Sequence, residues 1–377
     1  MQVYLDNNAT TMVDPKVKEA MLPFLEEAYA NPSSPYMSGR SASRAITEAR
    51  EACAEVVQAK PPTIFFTSGG TESNNTALQA GTRLHRDRNE IVISSVEHSS
   101  ILNHALYLEQ EGWTVHRVPV DRNGRLDEGF FDSVLSEQTA LVSIMKANNE
   151  SGVITDLAPF VDGAHRVGAL FHTDAIQAYG KIGLDVGGPE IDFLSFSGHK
   201  IHGPKGCGGL YVREGIKLPP MLMGGDQEHG RRAGTENVPG IAGLGRASEL
   251  SQNFDYNVLM NLKKPLEADL LQTTEQVEVA GSGAERLPGT SLFVVDGVDA
   301  ESLVDLLDME GIFCSSGSAC MSGSTEPSHV LEAMGYSCSQ ASSGIRLSMS
   351  KFNSQKDVQY VIKNFPLLID RLRSYES

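Results

Sequence analysis

The stretch Ile64-Phe65-Phe66-Thr67-Ser68-Gly69-Gly70-Thr71 joins a short apolar run to two glycines, a threonine and the start of a helical segment. An apolar run without polar alternation is typical of a strand buried on both faces. N–H groups at the start of the next helix, with the helix dipole, favour a phosphate, and Gly70 and Thr71 would approach it. A plain helix start is the alternative, and a P-loop is excluded because its G-K-[ST] ending is absent.

The same alternation of apolar runs and helical segments continues from residue 63 to residue 212. The stretches 99–112 and 157–167 are long enough for crossover helices between strands. This pattern predicts an α/β domain with a mostly parallel sheet sandwiched by helices, followed after about residue 250 by a smaller α+β region. The apolar runs lie at 63–67, 90–94, 114–118, 139–145, 170–174, 193–197 and 209–212.

Charge and hydropathy exclude several classes of protein. Lys plus Arg number 31 and Asp plus Glu number 48, so the formal net charge is −17. An acidic chain disfavours nucleic acid as the main partner, because phosphate contacts need clustered cations. No apolar run is long enough to span a bilayer, and the first residues do not resemble a signal peptide. We therefore expect no membrane association and a cytoplasmic location.

Two strand ends carry charges that are costly to bury. Lys200 follows the apolar run at 193–197, and Asp174 closes the run at 170–174. A desolvated lysine suits a Schiff base with an aldehyde cofactor, and a strand-end carboxylate can keep a pyridinium nitrogen protonated. An exposed strand-end lysine and a helix-capping aspartate are the alternatives. Because ligands of parallel sheets bind beyond the carboxyl ends of strands, we expect Lys200 and Asp174 to face one site.

Other polar residues follow strands in the same manner. His98 could stack on a flat cofactor and shuttle protons, although a lone histidine is more often structural. Ser197 and His199 could donate to a phosphate, and Gln177 could bond a ring hydroxyl. Asn149 follows another apolar run at the same edge of the predicted sheet.

The five cysteines form no C-x-x-C pair, so neither a disulfide framework nor a metal site is expected. Cys53 lies on the apolar face of a helix predicted from about 43 to 58, and Cys314 follows an apolar triplet, so both are expected to be buried. Cys320 lies in a segment of small residues that we expect to be mobile, which would make it an accessible thiol. An idle surface cysteine is the alternative.

Taken together, these residues resemble the cysteine desulfurases of the NifS/IscS group, in the class-V aminotransferase superfamily of fold-type I pyridoxal-phosphate (PLP) enzymes. The resemblance spans nearly the whole chain, with Ser151 and Met321 as minor departures from the usual motifs. The motifs that carry it are Tyr4-Leu5-Asp6-Asn7-Asn8-Ala9-Thr10-Thr11, Asn31-Pro32-Ser33-Ser34, Ser197-Gly198-His199-Lys200, Arg231-Arg232-Ala233-Gly234-Thr235-Glu236-Asn237, Ser315–Cys320, Glu326-Pro327-Ser328-His329 and Ile345-Arg346-Leu347-Ser348.

The resemblance implies the organisation of the site. Residues 15–252 would form the large PLP-binding domain, and residues 1–14 and 253–377 the small domain with the Cys320 segment. Lys200 would hold PLP as a Schiff base, while His98 would stack on the ring and act as acid and base. The remaining cofactor contacts would be Asp174 to the pyridine nitrogen, Gln177 to the phenolic oxygen, and Gly70, Thr71, Ser197, His199 and the other subunit's Thr235 to the phosphate.

The resemblance also implies the reaction and its partners. Asn149 and Arg346 would hold the carboxylate of L-cysteine, and Cys320 would carry the sulfur as a persulfide to an acceptor protein. Iron–sulfur scaffolds, nitrogenase maturation and thiolation pathways are all compatible with such an acceptor, and a homodimer is expected. Two alternatives stay open: another PLP enzyme, such as an aminotransferase or a selenocysteine lyase, and a non-catalytic assembly or regulatory protein with this fold.

Overall fold

The computed structural model describes residues 1–317 and 326–376. Its helices are α1 (Pro15–Glu26), α2 (Met37–Val56), α3 (Gly70–Leu84), α4 (Ser99–Gln110), α5 (Glu128–Val134), α6 (Ala158–Arg166), α7 (Val238–Gln252), α8 (Met260–Thr273), α9 (Ala300–Met309), α10 (His329–Ala333), α11 (Cys338–Ala341) and α12 (Gln355–Glu376). Its strands are β1 (Val3–Tyr4), β2 (Ile64–Thr67), β3 (Glu90–Ser94), β4 (Thr114–Val118), β5 (Thr139–Ser143), β6 (Leu170–Asp174), β7 (Phe193–Ser197), β8 (Gly208–Val212), β9 (Val277–Val279), β10 (Thr290–Val295), β11 (Ile312–Phe313), β12 (Ser315–Ser316) and β13 (Gly344–Ser348).

The larger sheet has the order β2-β8-β7-β6-β5-β3-β4. Its strands are parallel except β8, which is antiparallel to both of its neighbours. Buried apolar side chains lie on both faces of this sheet, and helices cover them. The predicted α/β class with a mostly parallel sheet is confirmed, and each of the predicted apolar runs forms a strand within two residues of the expected bounds.

Two local expectations need correction. Helix α2 begins at Met37, before the expected start near residue 43, because Gly39 and Ala42 extend its buried face although neither is a large apolar residue. Cys314 is partly exposed, since it lies between the two short strands β11 and β12, yet burial of its thiol raises the pKa to about 12. Cys53 is buried as expected.

The C-terminal part of the chain forms a second, antiparallel sheet in the order β12-β13-β10-β9. Helices α8, α9 and α12 pack against it around a separate apolar core. The N-terminal strand β1 pairs in parallel with β11, and Leu5 is buried in this same core. The first residues therefore pack with the C-terminal third, which supports the proposed division into residues 15–252 and residues 1–14 with 253–377.

None of the helices in the described ranges is long and apolar enough to cross a membrane.

Candidate active site

A cavity of about 360 Å³ opens beyond the carboxyl ends of the parallel strands. Residues that follow β3, β5, β6 and β7 line it, as expected for a ligand site in an α/β sheet. A second cavity of about 450 Å³ shares Gly70, Thr71, Ser197 and His199 with it. The predicted residues that line the first cavity are Gly70, Thr71, His98, Asn149, Asp174, Gln177, Ser197, His199 and Lys200.

The glycine turn after β2 brings backbone N–H groups to both cavities. Gly69 has φ of 151° and ψ of −175°, a conformation open essentially to glycine alone. A Cβ at Gly70 would lie 2.1 Å from Cδ1 of Ile176, so a larger residue there requires the Ile176 side chain to move. The first N–H groups of a helix have no intrahelical partners, and in α3 no side chain caps them. Ser197 Oγ is buried and bonds to no other described residue. These groups form a cradle suited to a phosphate.

Lys200 ends a short 3₁₀ turn that follows β7 directly. Its Nζ donates to the carbonyl oxygens of Asn8 at 2.5 Å and Ala9 at 2.7 Å. The N-terminal segment therefore holds the lysine beside the cavity. Neighbouring His199 is held neutral, because burial and then the Lys200, Lys205 and Lys181 cations lower its pKa to about 3.

Asp174 ends β6 and is 3% exposed. Its Oδ1 accepts from the Ile176 N–H at 2.9 Å, and its Oδ2 accepts from Asn74 Nδ2 at 2.7 Å. Glu97 lies nearby, and burial, followed by the charge of Asp174, raises its pKa well above the usual range. A protonated Glu97 places no second negative charge beside the Asp174 side chain.

His98 caps helix α4, and its position on the cavity wall agrees with its prediction as a site residue. Nδ1 accepts from the Ser100 N–H at 3.1 Å and lies 2.8 Å from Ser100 Oγ. The first contact requires a bare Nδ1, whereas the second also suits an Nδ1–H that donates to the hydroxyl. Because only a bare Nδ1 satisfies both contacts, the neutral ring of His98 carries its proton at Nε2.

Gln177 lies between two partners on one wall of the cavity. Its Nε2 donates to the Asn8 carbonyl oxygen at 2.9 Å, and its Oε1 accepts from Lys181 Nζ at 2.9 Å. The Asn8 oxygen thus accepts from both Gln177 and Lys200. Neither Asn8 nor Lys181 was expected here from the sequence.

Arg346 on β13 is fully buried behind Asn149 and does not line the cavity itself. Its guanidinium donates to the Asn149 carbonyl oxygen at 3.1 Å and to Asp6 Oδ1 at 2.9 Å. Its Nε bonds to no other described residue. The structure therefore does not bring Arg346 into the cavity with the other predicted residues, and its predicted contact with the substrate carboxylate stays a prediction.

The Cys320 prediction lies outside the described residues, but described residues on both sides of that segment lie close to one carboxyl. Glu150 Oε2 accepts from Ser328 Oγ at 2.5 Å, and a Cβ at Gly317 would lie 3.3 Å from the same oxygen. Glu150 follows Asn149, and burial raises its pKa. Gly317 and Ser328 therefore lie near Glu150, which follows the cavity-lining Asn149 in the chain.

Thr235 is not brought into the main cavity. It is exposed and lines a third cavity, which shares Ser68 and Gly206 with the second one. Its predicted role is to reach the site of a partner subunit, and that role stays a prediction. Within residues 1–317 and 326–376, no cluster of His, Cys, Asp or Glu could hold a metal ion.

The residues that sequence reasoning missed share one property: each acts on a predicted residue from a distant part of the chain or from the next turn. Asp6 and Asn8 were quoted only as parts of a motif, and Asn74 was not singled out. Lys181 had one available signal, its spacing of four residues from Gln177 directly after a buried run.

Comparisons with known proteins agree with this geometry. The sequence profile of the Aminotransferase class-V family matches residues 3–361. A cysteine desulfurase of Cereibacter sphaeroides is 46% identical over 375 residues, which cover 99% of this chain and 97% of that protein. A solved NifS-like protein superposes with a TM-score of 0.92 at 35% identity, covering 99% of this chain and 100% of the other. A structure described as SspA in complex with cysteine gives a TM-score of 0.82 at 32% identity and covers 94% and 100%.

Proposed function

Because the chain belongs to the class-V aminotransferase family, and within it to the cysteine desulfurases, we propose that it converts L-cysteine to L-alanine and passes the sulfur on as a persulfide. The observation that carries this proposal is the convergence of Lys200, Asp174 and His98 on one cavity beside a phosphate cradle. A cysteine complex of the similar protein SspA supports cysteine as the substrate.

The residues present fit PLP. The buried Ser197 hydroxyl, unpaired among the described residues, and the uncapped start of α3 suit its phosphate. The buried Asp174 carboxylate suits a protonated ring nitrogen, and Lys200 offers the amine for covalent attachment. When bound, PLP supplies an electron sink for the carbon skeleton of an amino acid.

Each side chain then has a defined task. Asp174 holds a proton on the ring nitrogen, and the amide of Asn74 keeps the carboxylate in place. Lys200 takes the α-proton of the substrate at Nζ. Arg346 and Asn149 orient the substrate carboxylate, with Asp6 holding the guanidinium. His98 exchanges protons through its imidazole ring, which Ser100 holds in place at Nδ1.

The sulfur leaves in a displacement that we assign to Cys320. The thiolate is the nucleophile, so the Cys320 proton must first pass to a base, for which we propose His98. The Cys320 sulfur forms a bond with the substrate sulfur while the Cβ–S bond breaks, and the electron pair stays with the carbon. That carbon takes a proton, and alanine leaves. Cys320 is three residues from Gly317, so the Cα atoms of the two residues can be at most roughly 11 Å apart.

The acceptor and the assembly state belong to the same proposal. We propose an acceptor protein for iron–sulfur cluster assembly or for thiolation, since a persulfide sulfur can be passed to either. We also propose a homodimer in which Thr235 completes the phosphate site of the partner subunit. Its exposed position at the rim of the third cavity supports this role.

The test measures sulfide and alanine released from L-cysteine by the purified, PLP-loaded protein in the presence of a thiol reductant. We expect equal amounts of both products. Cys320→Ala should abolish release while the visible absorbance of the bound cofactor stays. Cys338→Ala is the matched control, because Cys338 is a free cysteine that lies exposed in α11, and this variant should keep full activity.

The outcomes separate the open alternatives. Unchanged sulfide release by the Cys320 variant would contradict the role of Cys320. Bound cofactor without sulfide, but with turnover of another amino acid or of selenocysteine, would favour an aminotransferase or a lyase. A colourless protein that does not take up PLP would favour the non-catalytic alternative.

A further inference from the structure

We infer that Lys181 is a positioning residue of the proposed active site, which holds Gln177 so that its amino group, and not its carbonyl, faces the phenolic oxygen of the cofactor. This inference rests on the proposed function. Lys181 does not line the cavity, so it acts through Gln177 and not by contact with the substrate.

Donor chemistry settles the orientation of the Gln177 amide. A protonated lysine can only donate, so the atom of Gln177 that meets Lys181 Nζ at 2.9 Å must be the carbonyl oxygen. The amide nitrogen then faces the opposite way and donates one N–H to the Asn8 carbonyl oxygen, at 2.9 Å. Its second N–H is left for the cavity, which Gln177 lines.

A positive charge on Lys181 would favour an anionic phenolic oxygen, as the N–H of Gln177 also would. Burial, followed by the Lys200 and Arg346 cations, lowers its pKa to about 7. An anionic cofactor next to Gln177 would favour the protonated form of Lys181. The lysine would then be a fixed cation one side chain away from the phenolic oxygen.

Two effects on the bound cofactor follow, and they have the same sign. The Gln177 N–H stabilises the anionic form of the phenolic oxygen, which weakens its hold on the proton of the Lys200 nitrogen. The Lys181 cation repels a positive charge at that nitrogen. Both effects make Lys200 lose its proton at a lower pH than it would without Lys181.

The test is a pH titration of the visible absorbance of the PLP-loaded protein without substrate. Lys181→Met removes the donor and the charge, and we expect the midpoint to rise by about 1 pH unit. Lys181→Arg keeps both and should stay close to the wild-type midpoint. Turnover should fall for the Met variant through kcat, with little change in KM.

Controls distinguish positioning from general damage. Lys146→Met removes another half-buried lysine, whose Nζ donates to the Thr155 carbonyl oxygen at 2.7 Å, and it should leave the midpoint unchanged. In a Gln177→Leu background, Lys181→Met should shift the midpoint less than in the wild type, because its path through the amide is gone. If Lys181→Met fails to fold, Lys181→Gln serves instead, and the midpoint should rise for it too.

An unmoved midpoint in a folded Lys181 variant would overturn the inference and leave the proposed function intact. An equal shift with and without Gln177 would reduce Lys181 to a distant charge and would also overturn it. A wild-type protein that develops no visible absorbance with PLP would overturn the proposed function and this inference together.

Discussion

Asp174 shows how single hydrogen bonds prepare a buried carboxylate for its task. Two N–H donors, from Ile176 and Asn74, hold its two oxygens and offset the cost of removing the charge from water. Only the Ile176 contact is local. The Asn74 donor comes from the helix that also forms the phosphate cradle, so one element serves both ends of the proposed cofactor.

We predict that Asn74→Leu lowers kcat/KM by about 10- to 100-fold, because a hydrogen bond to a charged group contributes about 1.5–3 kcal/mol. PLP affinity, measured by fluorescence titration of the apoprotein, should fall as well. Asn75→Leu is the control on the same helix, since Asn75 contacts Thr71, Ser100 and His104 and not Asp174. Equal losses in both variants would contradict a specific role for Asn74.

At the level of elements, the start of helix α3 depends on its packing against the loop after β6. Gly70 faces Ile176 so closely that a methyl group would have to displace it, and Ile176 follows Asp174 by two residues. The start of α3 and the loop that follows Asp174 therefore lie close together at Gly70 and Ile176.

We predict that Gly70→Ala weakens PLP binding by up to about 10-fold, because the added methyl group displaces the Ile176 side chain on the cavity wall or shifts the start of the helix. The measurement is the dissociation constant for PLP together with the melting temperature. Gly183→Ala is the matched control, since no atom lies within 4 Å of the Cβ it would add. Wild-type affinity in Gly70→Ala would show that the cradle tolerates this shift.

Element boundaries also show where sequence patterns reach their limit. The strands of the larger sheet could be predicted closely, because buried parallel strands are continuous apolar runs. The start of α2 could not, because its first buried positions are the small residues Gly39 and Ala42. A search for large apolar side chains does not detect a helix face that packs through close backbone contact.

For the molecule as a whole, buried neutral histidines make stability depend on pH. His172 lies inside the larger sheet between Ser143 Oγ at 2.8 Å and Ser195 Oγ at 3.0 Å. Burial lowers its pKa from 6.5 to about 3. Between these values the unfolded state binds more protons than the folded one, so this contribution is complete above pH 6.5 and is lost as the pH falls towards 3.

We predict that His172→Asn reduces the loss of unfolding free energy on acidification by up to about 1.4 kcal/mol per pH unit within this window. Urea denaturation at several pH values measures the free energy of unfolding of the variant and of the wild type. The opposing contributions of Glu97 and Glu150 are common to both proteins and cancel when the two values are subtracted. His229→Asn is the control: His229 is exposed, and asparagine accepts its φ of 58°. A slope unchanged in His172→Asn would contradict the assignment.

By itself, the sequence determined the strands and helices of the larger sheet and the candidates Lys200, Asp174, His98 and Gln177. These are local signals, because strand ends, glycine turns and apolar periodicity involve residues close together in the chain. The resemblance added the residues that no local pattern marks, Arg346 and Thr235 among them.

Only the tertiary structure decided how these candidates are supported. The pairing of β1 with β11, the contact of Asp6 with Arg346 and the donation from Lys200 to Asn8 each join residues more than 150 positions apart. Such contacts leave no periodicity in the sequence, because they arise from the packing of two cores against one cavity. The physical reason is that burial of apolar surface is indifferent to sequence distance, whereas hydrogen bonds form only between the groups that burial brings together.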